Sequence, residues 1–444
     1  MGRVREFFAR FRTWIAAAAA GTAVVGGGAM MLTGANYQVY VGATPTPPST
    51  PTATATVTCD VNAANLTQLN AADDTVSSNG TVCLTSSSDY GQYSGQGSNK
   101  TFTIAVADGV SPTMRVALNN GDSNLTIDGG RQTWDDTTGL TLLNGSTING
   151  TPGPAVNITY SLFTENQANG AGNLHIDGPS TAAIRLTHNT FTGVDAGTEA
   201  SVRIDSGATN VVIEDNLCRD NHGDCWKLGG STQTTLINNK CLRVDDNSVR
   251  NPGADIHSDC IQVNSDNARA TIRGNVVDTC QQGITAFDET LDNDISHNLI
   301  VRCAGHSMTL FLDDEGSDVS HNTIVSNVGF DCNTVGSKIT QYPGSGVSTT
   351  FIRNNITLPG IALGNCVPQA NSNNMCSSSC GGSNISGTPT YALGAIPSSN
   401  VTLAHACLSA ASVGYTGASD GSQIGVCGGD YNPATDGPPT GEGY

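Results

Sequence analysis

Apolar residues recur along this chain three positions before an asparagine. The pattern is written out in Val212-Ile213-Glu214-Asp215-Asn216, Thr235-Leu236-Ile237-Asn238-Asn239, Thr271-Ile272-Arg273-Gly274-Asn275, Asp294-Ile295-Ser296-His297-Asn298 and Asp318-Val319-Ser320-His321-Asn322. The asparagines are 23, 36, 23 and 24 residues apart. A period in the low twenties, made of short β-branched runs with no helical periodicity, predicts a parallel β-helix. Leucine-rich repeats share the length but need a leucine skeleton that this chain lacks. The one long interval contains the polar run 245–255, which reads as a loop inserted into one coil. Weaker copies at Ile127, Ile158 and Leu186-Thr187-His188-Asn189, and at Ile352-Arg353-Asn354-Asn355, extend the solenoid over residues 101–359.

Stacking explains the pattern. Rungs of a parallel coil lie about 4.8 Å apart, so equivalent residues form ladders. Aliphatic side chains fill the inside, while asparagines sit at a turn where their amides bond along the stack and tolerate left-handed backbone geometry. The rung spacing also falls within the Cα separations that a disulfide accepts. Cys218 is therefore expected to pair with Cys241, and Cys225 with Cys260.

The flanks differ from the repeat. Residues 1–35 carry Arg3, Arg5, Arg10 and Arg12 ahead of an Ala/Gly-rich apolar run, the order of a signal peptide; an uncleaved membrane anchor is the rival reading, and both export the rest. Residues 36–58 form a Pro/Thr-rich linker expected to be extended. The folded part then begins at Cys59, expected to pair with Cys83, and Leu66, Leu69 and Ala71 predict a short helix capping the open end of the solenoid. The coils are assigned to 59–360, a C-terminal lid held by Cys407 and Cys427 to 361–430, and a tail with no reason to be ordered to 431–444.

Composition narrows the function. The net charge is −19 and only 13% of residues are charged, which argues against nucleic acid or an anionic membrane surface as a partner. Any membrane contact is left to the N-terminal anchor, and a monomer is expected. Fourteen cysteines, an even count, fit an oxidising compartment. Cys376 and Cys380, with no histidine nearby, read as disulfide cysteines rather than metal ligands.

Two consecutive coils carry matching segments with chemistry in them, His222-Gly223-Asp224-Cys225-Trp226-Lys227-Leu228 and His257-Ser258-Asp259-Cys260-Ile261-Gln262-Val263. Stacked, they put His222 on His257 and Asp224 on Asp259, with Lys227 and Gln262 outward on one face. Two carboxylates one rung apart cannot both ionise cheaply, so one has a raised pKa and suits a general acid while the other serves as base or nucleophile. His222 and His257 would relay the proton, and Lys227 is a base for a sugar-ring proton. The competing readings are structural: turn amides satisfied by both aspartates, and an ion pair for Lys227. Gln282, Thr285 and His306 on the following coils extend the face as substrate-binding candidates. Acidic turns with Asp288, Asp313 and Asp314 offer hard oxygen ligands for Ca²⁺, or a solvated edge.

With its repeat, export signal and lid, the chain resembles the right-handed parallel β-helix proteins of the pectin-lyase-like superfamily over residues 59–429. The resemblance implies an all-β solenoid of three parallel sheets, with an N-terminal cap and a C-terminal disulfide-rich lid, and carbohydrate lyase, hydrolase or epimerase activity. Ser258-Asp259-Cys260-Ile261-Gln262-Val263-Asn264, with Asn221-His222-Gly223-Asp224 one coil earlier, is also similar to the catalytic strands of polygalacturonase-type glycoside hydrolases. That likeness implies catalytic roles for Asp224 and Asp259. The chain departs from it at Ser258, where an aspartate is expected, at Gln282-Gly283 in place of His-Gly, and in lacking Arg-Ile-Lys. The function expected is an exported polysaccharide lyase or glycoside hydrolase acting on a cell-surface or free glycan. The alternative is a non-catalytic structural or adhesion β-helix.

Overall fold

The computed structural model describes residues 57–95, 100–119, 122, 124–131, 136–149, 155–164, 172–178, 183–193, 200–205, 207–244, 258–264, 269–286, 292–303, 308–310, 317–325, 330–332, 348–358, 361–362, 368–376, 383–429 and 431–432. They all fall within one unit, Thr50–Tyr444. The expected signal or anchor and most of the linker lie outside the described residues. Among the described residues no helix is long and apolar enough to cross a membrane.

Each coil of the solenoid contributes up to three short strands, and every pairing between named strands is parallel to the equivalent strand of a neighbouring coil. The coil Val211–Glu214, Leu217–Arg219 and Trp226–Gly229 pairs with Thr235–Ile237, Lys240–Val244 and Asp259–Asn264. The following coil is Thr271–Arg273, Val276–Cys280 and Gln282–Ala286. Inside the first sheet Ile213, Leu236, Ile272, Ile295 and Val319 stack in register, all fully buried. Identical periodicity thus becomes one continuous core, because each coil hides its apolar residues only against its neighbours.

The asparagine ladder is the polar counterpart of that core. From Asn216 through Asn239, Asn275, Asn298 and Asn322 to Asn355, each side-chain Oδ1 accepts the backbone N–H and the amide of the preceding asparagine at 2.9–3.1 Å. Each Nδ2 also donates to a carbonyl inside the coil before, as Asn298 does to Ile272 at 2.9 Å. The left-handed residue is not the asparagine itself, as expected from the sequence, but the one before it. His188, Asp215, Asn238, Gly274, His297 and His321 have φ between 54° and 70°. The tight corner needs that turn of the backbone, and the following amide then fixes it.

The solenoid also runs beyond the expected end at residue 360. Asn374 and Asn384 continue the ladder, and Pro368–Cys376 pairs with Ser383–Ser386. The repeat fades from view because the last coils shorten, with asparagines 19 and 10 residues apart.

At the other end the helix Leu66–Thr75 packs on the first coils, capped by Asn65, whose side chain accepts the Gln68 N–H at 3.0 Å. Its buried residues are Leu69, Ala72 and Asp73; Ala71 is exposed, since helical spacing puts the inward neighbour of Leu69 three residues on.

Disulfide connectivity follows the expectation at Cys59–Cys83 and Cys407–Cys427 and overturns it at the candidate coils. Cys218 pairs with Cys225, and Cys241 with Cys260, each within one coil. Cys218 and Cys241 are ladder neighbours, but such neighbours project their side chains the same way, side by side. Their partners lie across the coil interior, and the two disulfides stack, with Cys225 Sγ 3.4 Å from Cys241 Sγ. A rung-to-rung disulfide does form at Cys280–Cys303, with Cα atoms 4.4 Å apart.

The C-terminal lid lies along the flank of the coils. The strands Val276–Cys280, Leu299–Val301 and Thr323–Val325 turn apolar outward, and Val276, Leu299 and Val301 bury against Val401, Leu403, Ala406 and Val426. Residues 414–429 then follow the left-handed corner. His297 and His321 stack with centroids 5.0 Å apart, and the His297 Nε2–H donates to the Gly428 carbonyl at 3.1 Å. Gly428 has no room for a side chain, since a Cβ there would meet His321 and the Gln423 carbonyl. Tyr431, assigned to the tail by sequence, is 5% exposed. Its ring lies against His297 and its hydroxyl donates to Asn238 Oδ1 at 3.3 Å, above a notch left by Gly274. An aromatic ring with that much apolar surface gains from leaving water, so the ordered chain reaches further than the polar composition of the tail implies.

Candidate functional site

The third sheet carries the site. Its strands alternate, with Val202 and Ile204, Trp226 and Leu228, Ile261 and Val263, and Ile284 and Ala286 fully buried inside. The residues between them form an outward row in register: His175, Arg203, Lys227, Gln262 and Thr285. One residue before Trp226 and Ile261 come the stacked cysteines, and one further back come Asp224 and Asp259. The register expected from sequence therefore brings Asp224 beside Asp259 and Lys227 beside Gln262.

Geometry separates the two aspartates. Asp224 is 9% exposed, and its Oδ1 accepts the Asp259 backbone N–H at 2.8 Å. Asp259 has no exposed surface, and its Oδ2 accepts from Gln262 Nε2 at 2.8 Å. Burial raises the Asp259 pKa well above the ordinary carboxylate range, and the Asp224 charge raises it further. Bonds from Gln262 and Thr285 and the charge of Lys227 oppose this without reversing it. Of the two carboxyls, Asp259 is the one whose surroundings favour the protonated form, as expected where two carboxylates lie close in a low dielectric.

Linkage turns this into a stability statement. Because the folded pKa of Asp259 is raised, its contribution is complete below the unfolded value of about 3.9 and is lost as pH rises from there toward the folded value. Asp259→Asn keeps the neutral shape and removes the titration. Urea midpoints of this variant are expected to fall less than those of the parent between about pH 4 and pH 8. Equal slopes would show that Asp259 is ionised in the fold.

The remaining candidates divide into three groups. Lys227 and Gln282 are half-buried and border the aspartates, and Gln282 is the register partner of Asp259. His222 is half-buried in the turn before Asp224, and its carbonyl accepts the Ser258 hydroxyl at 3.0 Å. Gln262 is 5% and Thr285 1% exposed, so neither offers a surface to a glycan, and Gln262 instead holds Asp259. His257, His306, Asp288, Asp313 and Asp314 lie outside the described residues, as does the inserted run 245–255. Among the described residues no cluster of histidine, cysteine, aspartate or glutamate is arranged to hold a metal ion.

Sequence reasoning missed His175, Arg203 and Asp205. Asp205 Oδ2 accepts from His175 Nε2 at 3.2 Å and from Arg203 Nε, joining two consecutive rungs. That hydrogen bond raises the His175 pKa; burial pushes Asp205 up, but His175 and Arg203 together pull it below the ordinary range. A signal was present in Leu174-His175-Ile176-Asp177 and Val202-Arg203-Ile204-Asp205, which share their outward position with Trp226-Lys227-Leu228-Gly229.

The fold and this face define a class. The family model described as right handed beta helix region matches residues 117–328, which include every coil of the site, in keeping with the parallel β-helix that the strand pairings form. Among solved structures it is similar to the PL6 family alginate lyase AlyGC, at 12% identity and a TM-score of 0.38, over 74% of this chain and 53% of that chain. A mutant of the same enzyme matches at 11% identity and a TM-score of 0.33, with the same coverage. The chain spans about half the length of both. No curated protein sequence matches it.

Proposed function

We propose that the chain is an exported enzyme that cleaves an acidic polysaccharide by β-elimination on the outward face of the third sheet, with Lys227 as the base. One observation carries the choice between the two cleavage chemistries: Asp259 has no exposed surface. Hydrolysis by a carboxylate pair needs both groups at the glycosidic bond, and Asp259 presents no oxygen there. Elimination needs a base beside the proton next to a uronate carboxylate, and Lys227 is half-buried on that face. Lys227 takes that proton, the bond to the neighbouring glycosidic oxygen breaks, and an unsaturated sugar is left. The departing oxygen regains a proton from the lysine ammonium or from water. Asp224 and the sealed Asp259 sit beneath, and Asp224 accepts the Asp259 backbone N–H that ties the two coils together. Gln282 borders Asp259 on the next coil, and His222 stays in the turn before Asp224. The disulfides fit export to an oxidising compartment.

The test is incubation of the protein with neutral and uronate glycans, with and without chelator, followed by product mass and near-ultraviolet absorbance. Unsaturated products from a uronate glycan are expected. Saturated products would replace elimination by hydrolysis. The chelator arm decides whether Ca²⁺ at Asp288, Asp313 and Asp314 belongs to the reaction. A second reading, a non-catalytic spacer or adhesion protein, is favoured by the burial of Asp259, Gln262 and Thr285, which keeps their polar groups away from a glycan. No turnover on any glycan favours that reading.

A further inference from the structure

The outward row continues two coils beyond Lys227 toward the N-terminus, and there it is cationic. His175, Arg203 and Lys227 occupy one position on three consecutive rungs. His175 and Arg203 are 41% and 37% exposed, in a chain whose net charge is −19. His175 and Arg203 in line with that lysine, on so acidic a protein, are a local arrangement against the overall field.

The cluster is also held in place. Asp205, 13% exposed, accepts from His175 at 3.2 Å and from Arg203, so one carboxylate fixes both side chains, and the charge of Asp177 on the rung before also acts on His175. Next along the same ladder the chain has Gly229 and then Asn264, which are register partners. A Cβ at Gly229 would lie 2.5 Å from Asp205 Oδ1 and 3.3 Å from Asn264 Oδ1, so the glycine leaves a notch between two polar side chains. Asn264 is 9% exposed, and its Oδ1 has no hydrogen-bond partner among the described residues. An acceptor with no donor beside a fixed pair of cations is unusual in a folded chain and suits a ligand that brings a hydroxyl together with a carboxylate.

We infer that His175, Arg203 and Asp205, with the Gly229 notch and Asn264, form a subsite for one uronate unit of an acidic glycan lying along the solenoid axis. The rung spacing of about 4.8 Å is close to the length of one pyranose unit. Successive sugars therefore meet successive rungs, with one carboxylate at Arg203 and His175 while the next sugar reaches Lys227. This inference rests on the proposed glycan site, but its test stands apart from turnover.

The test is calorimetric titration of galacturonate and mannuronate hexasaccharides, with neutral hexasaccharides as controls, into the parent protein and into Arg203→Gln, His175→Gln and Gly229→Ala. Circular dichroism confirms that each variant is folded. Arg203→Gln is expected to weaken uronate binding about tenfold, the scale of one lost hydrogen bond to a charged group, and to leave neutral sugars unaffected. Gly229→Ala, by displacing Asp205, is expected to act in the same direction. His175 is held charged by Asp205, so binding is expected to weaken as pH rises through its raised pKa and to weaken with added salt. Where turnover occurs, KM rises and kcat changes little, as for a group that binds substrate and transition state alike. Unchanged uronate affinity in Arg203→Gln overturns the subsite even if elimination is observed. Weaker uronate binding in that variant, in a parent that turns over no uronate, upholds the subsite and removes the elimination.

Discussion

Asn298→Ala is expected to destabilise the fold by about 4 kcal/mol, a large loss for one polar side chain. Its Oδ1 accepts the Asn275 N–H and amide at 3.0 and 2.9 Å, and its Nδ2 donates to Ile272 and Asn322 at 2.9 and 3.0 Å. Asn298 has no exposed surface, so water does not replace what is lost. The deletion leaves the buried Asn275 N–H without its partner and takes one bond each from the Ile272 carbonyl and the Asn275 amide, which keeps its bond to the Leu236 carbonyl at 3.1 Å; a buried group orphaned in this way costs about 1–3 kcal/mol. The effect is also asymmetric along the stack. Asn322 keeps a donor in the Asn298 backbone N–H at 3.0 Å, so the damage falls on the Asn275 side. Urea denaturation checks the magnitude; a loss under about 1 kcal/mol would mean that the ladder follows from packing rather than stabilising it.

The second large effect is chemical. Lys227→Met keeps the aliphatic stem on the sheet and removes the base, and is expected to lower turnover of a uronate glycan by a factor on the order of 10²–10⁴. Stability should hardly change, because Lys227 is half-buried and reaches Asp259 only through the field of its charge, the smallest of the influences on that carboxyl. An ion pair, the competing reading of Lys227, would instead make the substitution costly to folding and indifferent to turnover.

Much of the fold was legible because a solenoid repeats its physics. The Ile213 to Val319 ladder and the asparagine stack can both be written from spacing alone, and so can the juxtaposition of Asp224 with Asp259. Direction was harder to read than adjacency. Cys218 and Cys241 are neighbours in register, yet a disulfide needs side chains that face one another, and those belong to the same coil. The lid posed a similar problem. Leu299-Ile300-Val301 and Ile324-Val325 are unbroken apolar runs, which in a parallel sheet mean burial on both faces. They were the mark of a covered flank, but a short apolar run by itself does not say what covers it. The cationic row stayed hidden because the coil spacing stretches upstream, with 27 residues between Asn189 and Asn216, and the outward residues share no single side-chain type.

The site itself was readable as a place and less so as a chemistry. Sequence put two carboxylates together; only coordinates show that one of them is sealed while a lysine and an arginine stand outside it on adjacent rungs. That inversion moves the expected reaction from hydrolysis by an aspartate pair toward elimination by an amine.

The most direct measurement follows near-ultraviolet absorbance while the parent protein and Lys227→Met, both verified as folded, are mixed with a uronate glycan. The account predicts steady growth of an unsaturated product with the parent and almost none with the variant. Equal rates from the two proteins, or no unsaturated product from the parent on any uronate glycan, would contradict it.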